Sequence, residues 1–418
     1  MLQSNWINQV IDECEHVETP RSWLWWSLCC SISAAAGNNY YLKTLKGAVI
    51  FKPNIYVILL GESGLGKEFP ISLAIKLVSK ADVTRVIAGR SSIQAIIQEL
   101  GNINTREKKG PIEDSRGFIV NGEMSTAIIK DPMALTVLTD LYDNKDDMPW
   151  VNLLKGDGPR SLKNPYITAL FGSSPSHFYD TIPQINIDGG YVGRNLIDFQ
   201  EKRYKDTDLF IDEDEISVEG FPFQKFVGHL EKISLNKGRI IPDLDAKEYF
   251  NTWRRKWRED IVSNTDKTGF INRVPGHVLK IAICLSLART SRFDLLITQN
   301  EMEEAVERVT ALVYANKRAS EGKSDIDPLA AVTKLVLDLL LQAPDNEMRR
   351  KSILNSMYTR GIADAAIVDK VTDNLIERGW LGRDRIVAGS ATDWNFKLLG
   401  EPLAQYSKFI KNRMERVK

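Results

Sequence analysis

The sequence predicts an α/β protein built on a parallel sheet, followed by a helical subdomain and a small C-terminal domain. Short, continuously apolar segments alternate with segments of helical periodicity, as in a parallel sheet covered by helices on both faces. A glycine-rich turn stands between one apolar segment and the helical segment after it. Near Asp206 this alternation stops and helical periodicity dominates.

The composition is that of a folded globular chain. With 418 residues, 43% hydrophobic and 26% charged, we expect about two to three domains rather than a disordered or fibrous protein. Lys+Arg and Asp+Glu are both 55, so any contact with nucleic acid must come from local patches. The four histidines are scattered and the four cysteines form no Cys-x-x-Cys pair, which argues against a transition-metal site and a disulfide framework.

The longest apolar stretch, Trp23 to Ala36, is interrupted by serines and is shorter than the roughly 20 residues that span a bilayer. It follows acidic residues rather than the basic region of a signal peptide. We therefore expect a buried helix, no membrane partner and a cytoplasmic location.

The N-terminal segment, residues 1–37, is predicted to form two helices, the second beginning after Pro20 and ending at Gly37. The predicted core, residues 38–205, contains a continuously apolar run at 55–60 that is typical of a central parallel strand. The predicted strands of the core are 38–46, 54–60, 84–87, 117–120 and 166–171. The predicted helices are 71–79, a segment that begins at Ser91 or Ser92 and ends at Leu100, and further segments after Glu123.

Residues 206–322 are predicted to form a helical subdomain. The region 323–400 contains three helical segments followed by a hairpin, which is the pattern of a winged-helix domain. The helical segments are 328–342, 349–357 and 363–378, and the hairpin is 379–398. Residues 401–418 form a basic tail that could contact a nucleic-acid backbone.

The strongest motif runs from Gly61 to Lys67 and has the GxxxxGK spacing of a phosphate-binding loop (P-loop). Its glycines allow a tight turn with N–H groups directed at phosphate oxygens, and the lysine reaches the β- and γ-phosphates. Because a buried strand precedes the loop and a helix follows it, we predict that it binds ATP. The residues expected to contact the nucleotide here are Gly61, Ser63, Gly64, Leu65, Gly66, Lys67 and Glu68.

The residue after the lysine departs from the usual pattern. A Ser or Thr normally stands there and places its hydroxyl on Mg²⁺, whereas this chain has Glu68. A carboxylate can bind Mg²⁺, but it is larger and its negative charge lies near the triphosphate. Two alternatives stay open: Glu68 binds the metal in an altered geometry, or it weakens nucleotide binding.

Glu123 follows the predicted strand 117–120 and is the candidate general base for attack of water on the γ-phosphate. A strand of this kind usually ends in Asp-Glu, the Asp supporting the metal, but Gly122 stands in the Asp position. Glu123 is therefore also the second candidate ligand for Mg²⁺. The alternative is an ordinary acid at a strand end, and the phosphate-binding motif upstream favours the catalytic interpretation.

Ser173 and Ser174 follow the predicted strand 166–171. Ligands of parallel sheets bind at the carboxyl ends of the strands, so either hydroxyl could hold the attacking water or the γ-phosphate. The equally open alternative is the start of a loop before Pro175.

The glycines of the segment 189–193 are predicted to form a hinge that presents Arg194. An arginine supplied across a subunit boundary neutralises charge on the transferred phosphate and is worth about 10³-fold or more in rate. The alternative is a surface salt bridge, and we favour the catalytic interpretation.

Two basic stretches point less clearly to nucleic acid. The run from Trp253 to Arg258 interleaves indoles with cations, but its two tryptophans have the spacing of a core stripe, which we favour. The predicted third helix of the C-terminal domain is mainly acidic, so only its wing offers cations, and binding of a partner or packing between subunits stays open. The cations of the wing are Arg383, Arg385 and Lys397.

Over most of residues 20–320 the chain resembles the helicase-like proteins of phages, plasmids and genomic islands that often accompany primase domains. The similarity runs from Lys52-Pro53-Asn54 through the phosphate-binding motif to Glu123-Met124-Ser125, Asn164-Pro165-Tyr166, residues 189–194 and residues 273–282. It implies a RecA-like or AAA+-like P-loop ATPase core that assembles into a ring, usually a hexamer, and moves on DNA during replication of a mobile genetic element.

The resemblance also implies roles for single residues. Lys67 would bind phosphate, Glu123 would drive hydrolysis, Arg194 would serve a neighbouring subunit's site, and Arg273 would act as a second sensor in its own subunit. It implies ATP and Mg²⁺ as cofactors and single-stranded or forked DNA as partner. No primase residues are evident, so a separate primase or initiator would supply priming.

Two other functions stay open. One is a nucleotide-gated initiator or loader that binds DNA and hydrolyses ATP slowly, which the missing Mg²⁺ ligand types favour. The other is a degenerate scaffold whose winged helix binds a partner.

Overall fold

The structure is a computed structural model, and the chain divides into two compact units, residues 1–322 and 323–418. The division coincides with the sequence boundary between 206–322 and 323–400. The residues that the structure describes are 5–44, 49–89, 92–101, 105–106, 110–111, 114–124, 132–143, 150–154, 158–182, 190–206, 221–261, 268–290, 293–313, 315, 328–358, 365–388 and 391–399. The predicted basic tail 401–418 and Gly189 lie outside them.

Helices and strands alternate in the first unit. Its helices are α1 (Trp6–Asp12), α2 (Arg21–Ala36), α3 (Glu68–Ala81), α4 (Ile93–Gly101), α5 (Pro132–Asp143), α6 (Pro175–Thr181), α7 (Phe223–Leu235), α8 (Leu244–Ile261), α9 (Phe270–Ala288) and α10 (Gln299–Ala311). Its strands are β1 (Tyr40–Thr44), β2 (Val49–Phe51), β3 (Tyr56–Leu60), β4 (Arg85–Ala88), β5 (Thr105–Arg106), β6 (Gly110–Pro111), β7 (Arg116–Asn121), β8 (Trp150–Leu154), β9 (Gly158–Leu162), β10 (Tyr166–Ser173), β11 (Asn195–Phe199), β12 (Gly238–Arg239), β13 (Ile241–Pro242) and β14 (Leu296–Ile297).

The central sheet has five strands in the order β11-β3-β10-β7-β4, and every pairing is parallel. This confirms the predicted α/β class with a parallel sheet. The register places Ser173 and Phe199 beside Leu60, and Asn121 beside Phe171. The carboxyl ends of these strands therefore lie along one edge of the sheet, where residues from distant parts of the chain come together.

Both faces of the sheet are covered, and β3 shows why its sequence is continuously apolar. Val57 and Leu59 face the larger core, which includes α1, α2, α3 and helices from α7 to α10. Tyr56, Ile58 and Leu60 face the other core, which includes α4 and α5. Residues from all three predicted segments, 1–37, 38–205 and 206–322, contribute to the larger core.

Helix α2 is a central element of that core. Every residue from Trp23 to Ala36 is buried, as the prediction of a buried helix requires. The helix packs against α3, α7, α9 and strand β10. It ends at Gly37, whose φ of +54° is a conformation that favours glycine.

A second apolar helix, α9, is longer than the apolar stretch from Trp23 to Ala36. Among the described residues, α9 is the one helix with the length and composition of a membrane span, at a mean hydropathy of 1.2. However, 78% of it is buried inside the protein, which is the environment of a core helix.

Several strands of the first unit are not predicted from the sequence, including β11 at the edge of the central sheet. After Glu123 the sequence predicts helical segments, but residues 150–154 and 158–162 form the antiparallel pair β8–β9. The predicted helical subdomain also contains β12, which pairs with β1, and the pair β13–β14. These strands are two to five residues long and depend on partners elsewhere in the chain, so periodicity alone does not distinguish them.

In the part of the second unit that the structure describes, three α-helices accompany a three-stranded antiparallel sheet of order β15-β17-β16. Its elements are α11 (Pro328–Gln342), β15 (Glu347–Arg349), α12 (Arg350–Tyr358), α13 (Ala365–Glu377), β16 (Leu381–Ala388) and β17 (Ala391–Leu398). The helices and hairpin lie close to the predicted ranges. Strand β15 was not predicted, because its three residues are fixed by pairing with residues 395–397.

Candidate functional site

The loop between β3 and α3, residues 61–67, lies at the carboxyl edge of the sheet. Gly64 and Gly66 have φ values of +86° and +84°, which residues with a side chain rarely adopt. Gly61 is required for a different reason, since a Cβ there would lie 2.7 Å from the Gln200 carbonyl oxygen and 2.8 Å from the Trp23 ring. The motif glycines thus fix the shape of this loop.

Lys67 bends back over the loop. Its Nζ donates to the carbonyl oxygens of Gly61 at 2.5 Å and Glu62 at 2.9 Å. Partial burial lowers the pKa of the ammonium group, while the nearby carboxylates of Glu62 and Glu123 oppose that shift. A cation is thereby held over a loop whose residues 62–64 are exposed.

Three residues that the sequence did not single out support this loop. Thr19 Oγ1 donates to the Gly66 carbonyl oxygen at 3.0 Å, and Arg203 donates to that of Gly64 at 3.0 Å while pairing with Glu18. Lys67 Nζ lies 5.8 Å from the centre of the Trp23 ring. These contacts join segments far apart in sequence, so no local motif reveals them.

Glu123 stands on a turn just beyond β7, at the same edge as Lys67. Asn121 Oδ1 accepts a hydrogen bond from the Glu123 N–H at 3.1 Å, and the Met124 N–H donates to the Gly172 carbonyl oxygen at 2.7 Å. These bonds fix the backbone on both sides of the exposed carboxylate. The structure therefore brings together two predicted residues, Lys67 and Glu123, that are 56 positions apart in the sequence.

The order of the sheet also brings Ser173 to this edge, because β10 lies between β3 and β7. Ser173 is fully buried, and its hydroxyl donates to the Ser174 carbonyl oxygen at 3.2 Å. Ser174 caps α6 by accepting from the His177 N–H at 3.3 Å. Both hydroxyls thus have local structural partners, as expected for the start of a loop and helix.

Glu68 is exposed and is the first residue of α3, where its charge interacts favourably with the positive end of the helix. Within the described residues, no group of three or more His, Cys, Asp and Glu side chains could hold a metal ion. Mg²⁺ in nucleotide sites commonly takes one or two carboxylates plus phosphate oxygens. Glu68 and Glu123 are therefore a compatible but incomplete set of ligands.

Arg194 lies at the opposite edge of the sheet. It immediately precedes β11, whose first residue, Asn195, pairs with the first residue of β3, Tyr56. Its guanidinium is buried and donates to both carboxylate oxygens of Asp143, at 3.1 and 2.5 Å, and to the Gly190 carbonyl oxygen at 2.8 Å. The structure does not bring Arg194 to the Lys67 loop of the same chain.

Arg273 is close to Arg194 rather than to Lys67. A Cβ on Gly190 would lie 2.9 Å from Arg194 Nη1 and 3.3 Å from Arg273 Nη2, so both guanidinium groups flank this glycine. Arg273 also donates to the Gly269 carbonyl oxygen at 3.0 Å. This position at the amino edge gives the predicted role as a sensor in its own subunit no geometric support.

His277 and Lys280 are two buried groups beside Arg194 that the sequence analysis missed as site residues. Burial lowers the pKa of His277 to about 3, so the ring is neutral and its Nε2–H donates to the Gly193 carbonyl oxygen at 3.0 Å. Lys280 Nζ donates to Asn54 Oδ1 at 2.8 Å, and burial lowers its pKa to about 7.

Comparison of the sequence with protein-family models finds no match, and a search of curated proteins finds no significantly similar sequence.

Proposed function

We propose that the protein is an ATP-dependent helicase or translocase that acts on DNA in replication of a mobile genetic element, in the cytoplasm, as a ring oligomer such as a hexamer. One observation carries the proposal. Lys67 extends over a loop shaped by glycines at the carboxyl edge of a parallel sheet, with Glu123 at the same edge. The edge formed by the carboxyl ends of parallel strands is where such sheets bind their ligands.

The loop fits a triphosphate. Apart from its chain neighbours, no atom of the described residues lies within 4 Å of the Cβ position at Gly64, so there is open space above the loop. Phosphate oxygens would receive N–H groups of the loop and the Lys67 ammonium, which would leave the Gly61 and Glu62 carbonyl oxygens. The partial burial that lowers the pKa of Lys67 also reduces the solvent screening of its attraction to phosphate.

In the proposed hydrolysis, Glu123 orients a water molecule and accepts a proton from it as the water oxygen bonds to the γ-phosphorus. The bond between that phosphorus and the bridging oxygen breaks, giving ADP and inorganic phosphate. Glu68 and Glu123 are the residues that would hold Mg²⁺, which when bound with the nucleotide neutralises charge on its phosphates.

Arg194 is proposed to act on a neighbouring subunit's nucleotide. Its place at the amino edge, away from Lys67 of its own chain, is compatible with that role. The bidentate pair with Asp143 would have to open or move with it, and Asp143 is 49% exposed in its side chain. The partly exposed Asp143 thus holds the guanidinium of Arg194 in one position.

A slow initiator or loader is the second candidate, and Gly122 is the observation that favours it. The position next to Glu123 carries no carboxylate, so metal binding depends on Glu68 and Glu123. Such a protein would bind ATP and assemble on DNA with little turnover.

For the second unit we propose a winged-helix domain. Its order of helices and strands, with a hairpin after the third helix, supports this assignment. Several of its cations are paired with acids: Arg350 with Asp369 at 2.7 Å, Arg383 with Asp373 at 3.3 Å, and Lys397 with Glu347. This pairing favours a protein partner, such as a separate primase or initiator, over the groove of DNA.

The test combines ATP binding and turnover. Calorimetry in magnesium buffer should detect ATP uptake that Lys67→Ala abolishes and Lys76→Ala, an exposed change on the same helix, preserves. Turnover stimulated by single-stranded DNA and abolished by Glu123→Gln supports the motor, whereas binding with little turnover supports the loader. Absence of ATP binding by the folded protein would overturn both.

A further inference from the structure

A cavity of about 780 Å³ lies on the side of the first unit where the amino ends of the parallel strands lie. It is enclosed by the strands β1 and β2, the helix α8 and the first turns of α9. Asn54, just before β3, and Asp143, at the end of α5, also line it. The cavity is therefore distinct from the loop 61–67, which follows the carboxyl end of β3.

The walls of this cavity are strongly basic. Lys247, Arg254 and Arg258 line it from α8, and Arg273 and Lys280 line it from α9. The opposite wall adds two further cations from the region of β1 and β2, Lys43 and Lys52. Among the described lining residues, Asp143 is the one acid, and it is already paired with Arg194. Since the whole chain is neutral, this local excess of positive charge favours an anionic ligand.

Three of the cations of α8, Lys247, Arg254 and Arg258, lie as a stripe on one face of the helix. Lys247, Asn251, Arg254 and Arg258 are spaced by four, three and four residues, so they share one face of the helix. Arg258 is exposed, and Arg254 is partly exposed. This stripe runs for about three turns, a length that suits successive phosphates of a chain better than a single phosphate.

Aromatic rings stand between these charges. Phe51, Tyr142, Phe250 and Trp257 line the same cavity. Trp257 stacks on Trp253 with ring centres 5.6 Å apart, and its indole N–H donates to the Ile271 carbonyl oxygen at 3.2 Å, so the ring is held rigidly. A base can stack on such a fixed ring, while the row of cations can bind the phosphates of the backbone.

We propose that this cavity binds single-stranded nucleic acid, with phosphates along the Lys247–Arg258 stripe and a base against the aromatic wall. The inference deepens the proposed function by naming where the strand is held. It does not depend on ATP binding, because the cavity and the loop 61–67 share no residue.

The test measures fluorescence anisotropy of labelled oligo(dT) without nucleotide over a range of salt concentrations. Each phosphate contact contributes about 0.7 to the slope of log K against log salt for single strands, so loss of two contacts should reduce it by about 1.4. We expect Arg254→Gln/Arg258→Gln to weaken binding at least about tenfold and to show this reduced slope.

The matched control is Arg255→Gln/Lys256→Gln, which removes the same charge from α8 at positions that do not line the cavity. It should leave oligo(dT) affinity within about twofold, and circular dichroism should show that both variants are folded. Equal weakening by both pairs, or unchanged affinity of Arg254→Gln/Arg258→Gln, would overturn the site.

Lys67→Ala separates this inference from the proposed function. It should lose ATP binding and keep oligo(dT) binding, and in this background 1 mM dTTP should not displace the labelled strand (about the upper end of ordinary ligand concentrations). Displacement would identify a free nucleoside phosphate as the occupant and overturn the proposal of a strand. Failure of ATP binding with intact strand binding would overturn the ATPase alone.

Discussion

Gly172 and Gly122 approach so closely that a Cβ on Gly172 would lie 2.2 Å from the Gly122 carbonyl oxygen. Gly172 lies in β10, and Gly122 lies on the turn that carries Glu123. The contact sets how near that turn comes to the centre of the sheet, and it is consolidated by the hydrogen bond from the Met124 N–H to the Gly172 carbonyl oxygen.

Gly172→Ala should therefore push the turn and its carboxylate outward. We expect a loss of ATPase activity of at least about tenfold and a lower melting temperature, as for overpacked cores. Steady-state turnover and thermal unfolding measure the two effects. Gly122→Ala is the control, because within the described part of the chain only its sequence neighbours come within 4 Å of its Cβ position. Normal turnover in Gly172→Ala would show that the close approach does not position Glu123.

The open space at Gly122 permits a gain of function. Gly122→Asp would supply the carboxylate that supports Mg²⁺ in most sites of this kind, so we expect higher turnover at low magnesium concentration. Gly122→Asn is the control of similar size without charge. If both variants show the same dependence of turnover on magnesium concentration, the site does not use an acid at this position.

Arg194 can be tested by mixing subunits. If it acts on a neighbouring site, Lys67→Ala and Arg194→Ala chains are each inactive alone, but a mixed ring contains intact loops beside intact arginines. Mixing should restore turnover, and its dependence on the ratio of the two chains is the measurement. Arg194→Lys is informative as well, since lysine keeps the charge but loses the bidentate bond to Asp143. Absence of any recovery in mixed assemblies of folded chains would contradict action between subunits.

Lys280 predicts how stability depends on pH. Burial lowers its pKa to about 7 in the folded protein, whereas the unfolded chain has the ordinary value of 10.5. Between these values the unfolded chain binds more protons, so the free energy of unfolding rises with pH through this window, by at most about 1.4 kcal/mol per pH unit. The destabilising effect of a buried charge is fully present below the lower value.

Lys280→Met removes that titration while keeping the bulk of the side chain. Urea unfolding at pH 7, 8 and 9 should give a smaller rise in unfolding free energy for the variant than for the wild type. Equal slopes would mean that Lys280 keeps an ordinary pKa in the folded protein.

Local signals in the sequence predict four of the five strands of the central sheet, but not β11, in which Asn195 and Asp198 interrupt the apolar residues. The run at 55–60 is apolar throughout since β3 is covered on both faces, and Ser92 caps α4 at the expected position by accepting from the Ala95 N–H. Lys67 and Glu123 could be predicted as neighbours because both follow parallel strands, whose carboxyl ends share an edge.

What the sequence does not reveal depends on contacts between distant segments. The sequence indicates only that Trp23 belongs to a buried helix, yet in the structure its ring lies against Gly61 and near Lys67. In the sequence, Lys280 is only one polar residue within an apolar helical segment. Its hydrogen-bond partner Asn54 is 226 residues away, so no local pattern indicates the contact. In the run from Trp253 to Arg258, the spacing of the two tryptophans favours a core stripe with a charged opposite face. The structure bears out the favoured core stripe, since Trp253 and Trp257 pack against the core, and it places Arg254 and Arg258 at the wall of a cavity.

Helix α2 packs against the loop 61–67, with Trp23 against Gly61, and Thr19, just before the helix, donates to the Gly66 carbonyl oxygen. A shortened fragment that begins at β1 would therefore lack the residues against which that loop packs. Any fragment designed to test the proposed ATP binding must therefore retain the tryptophan-rich helix, although that helix precedes β1.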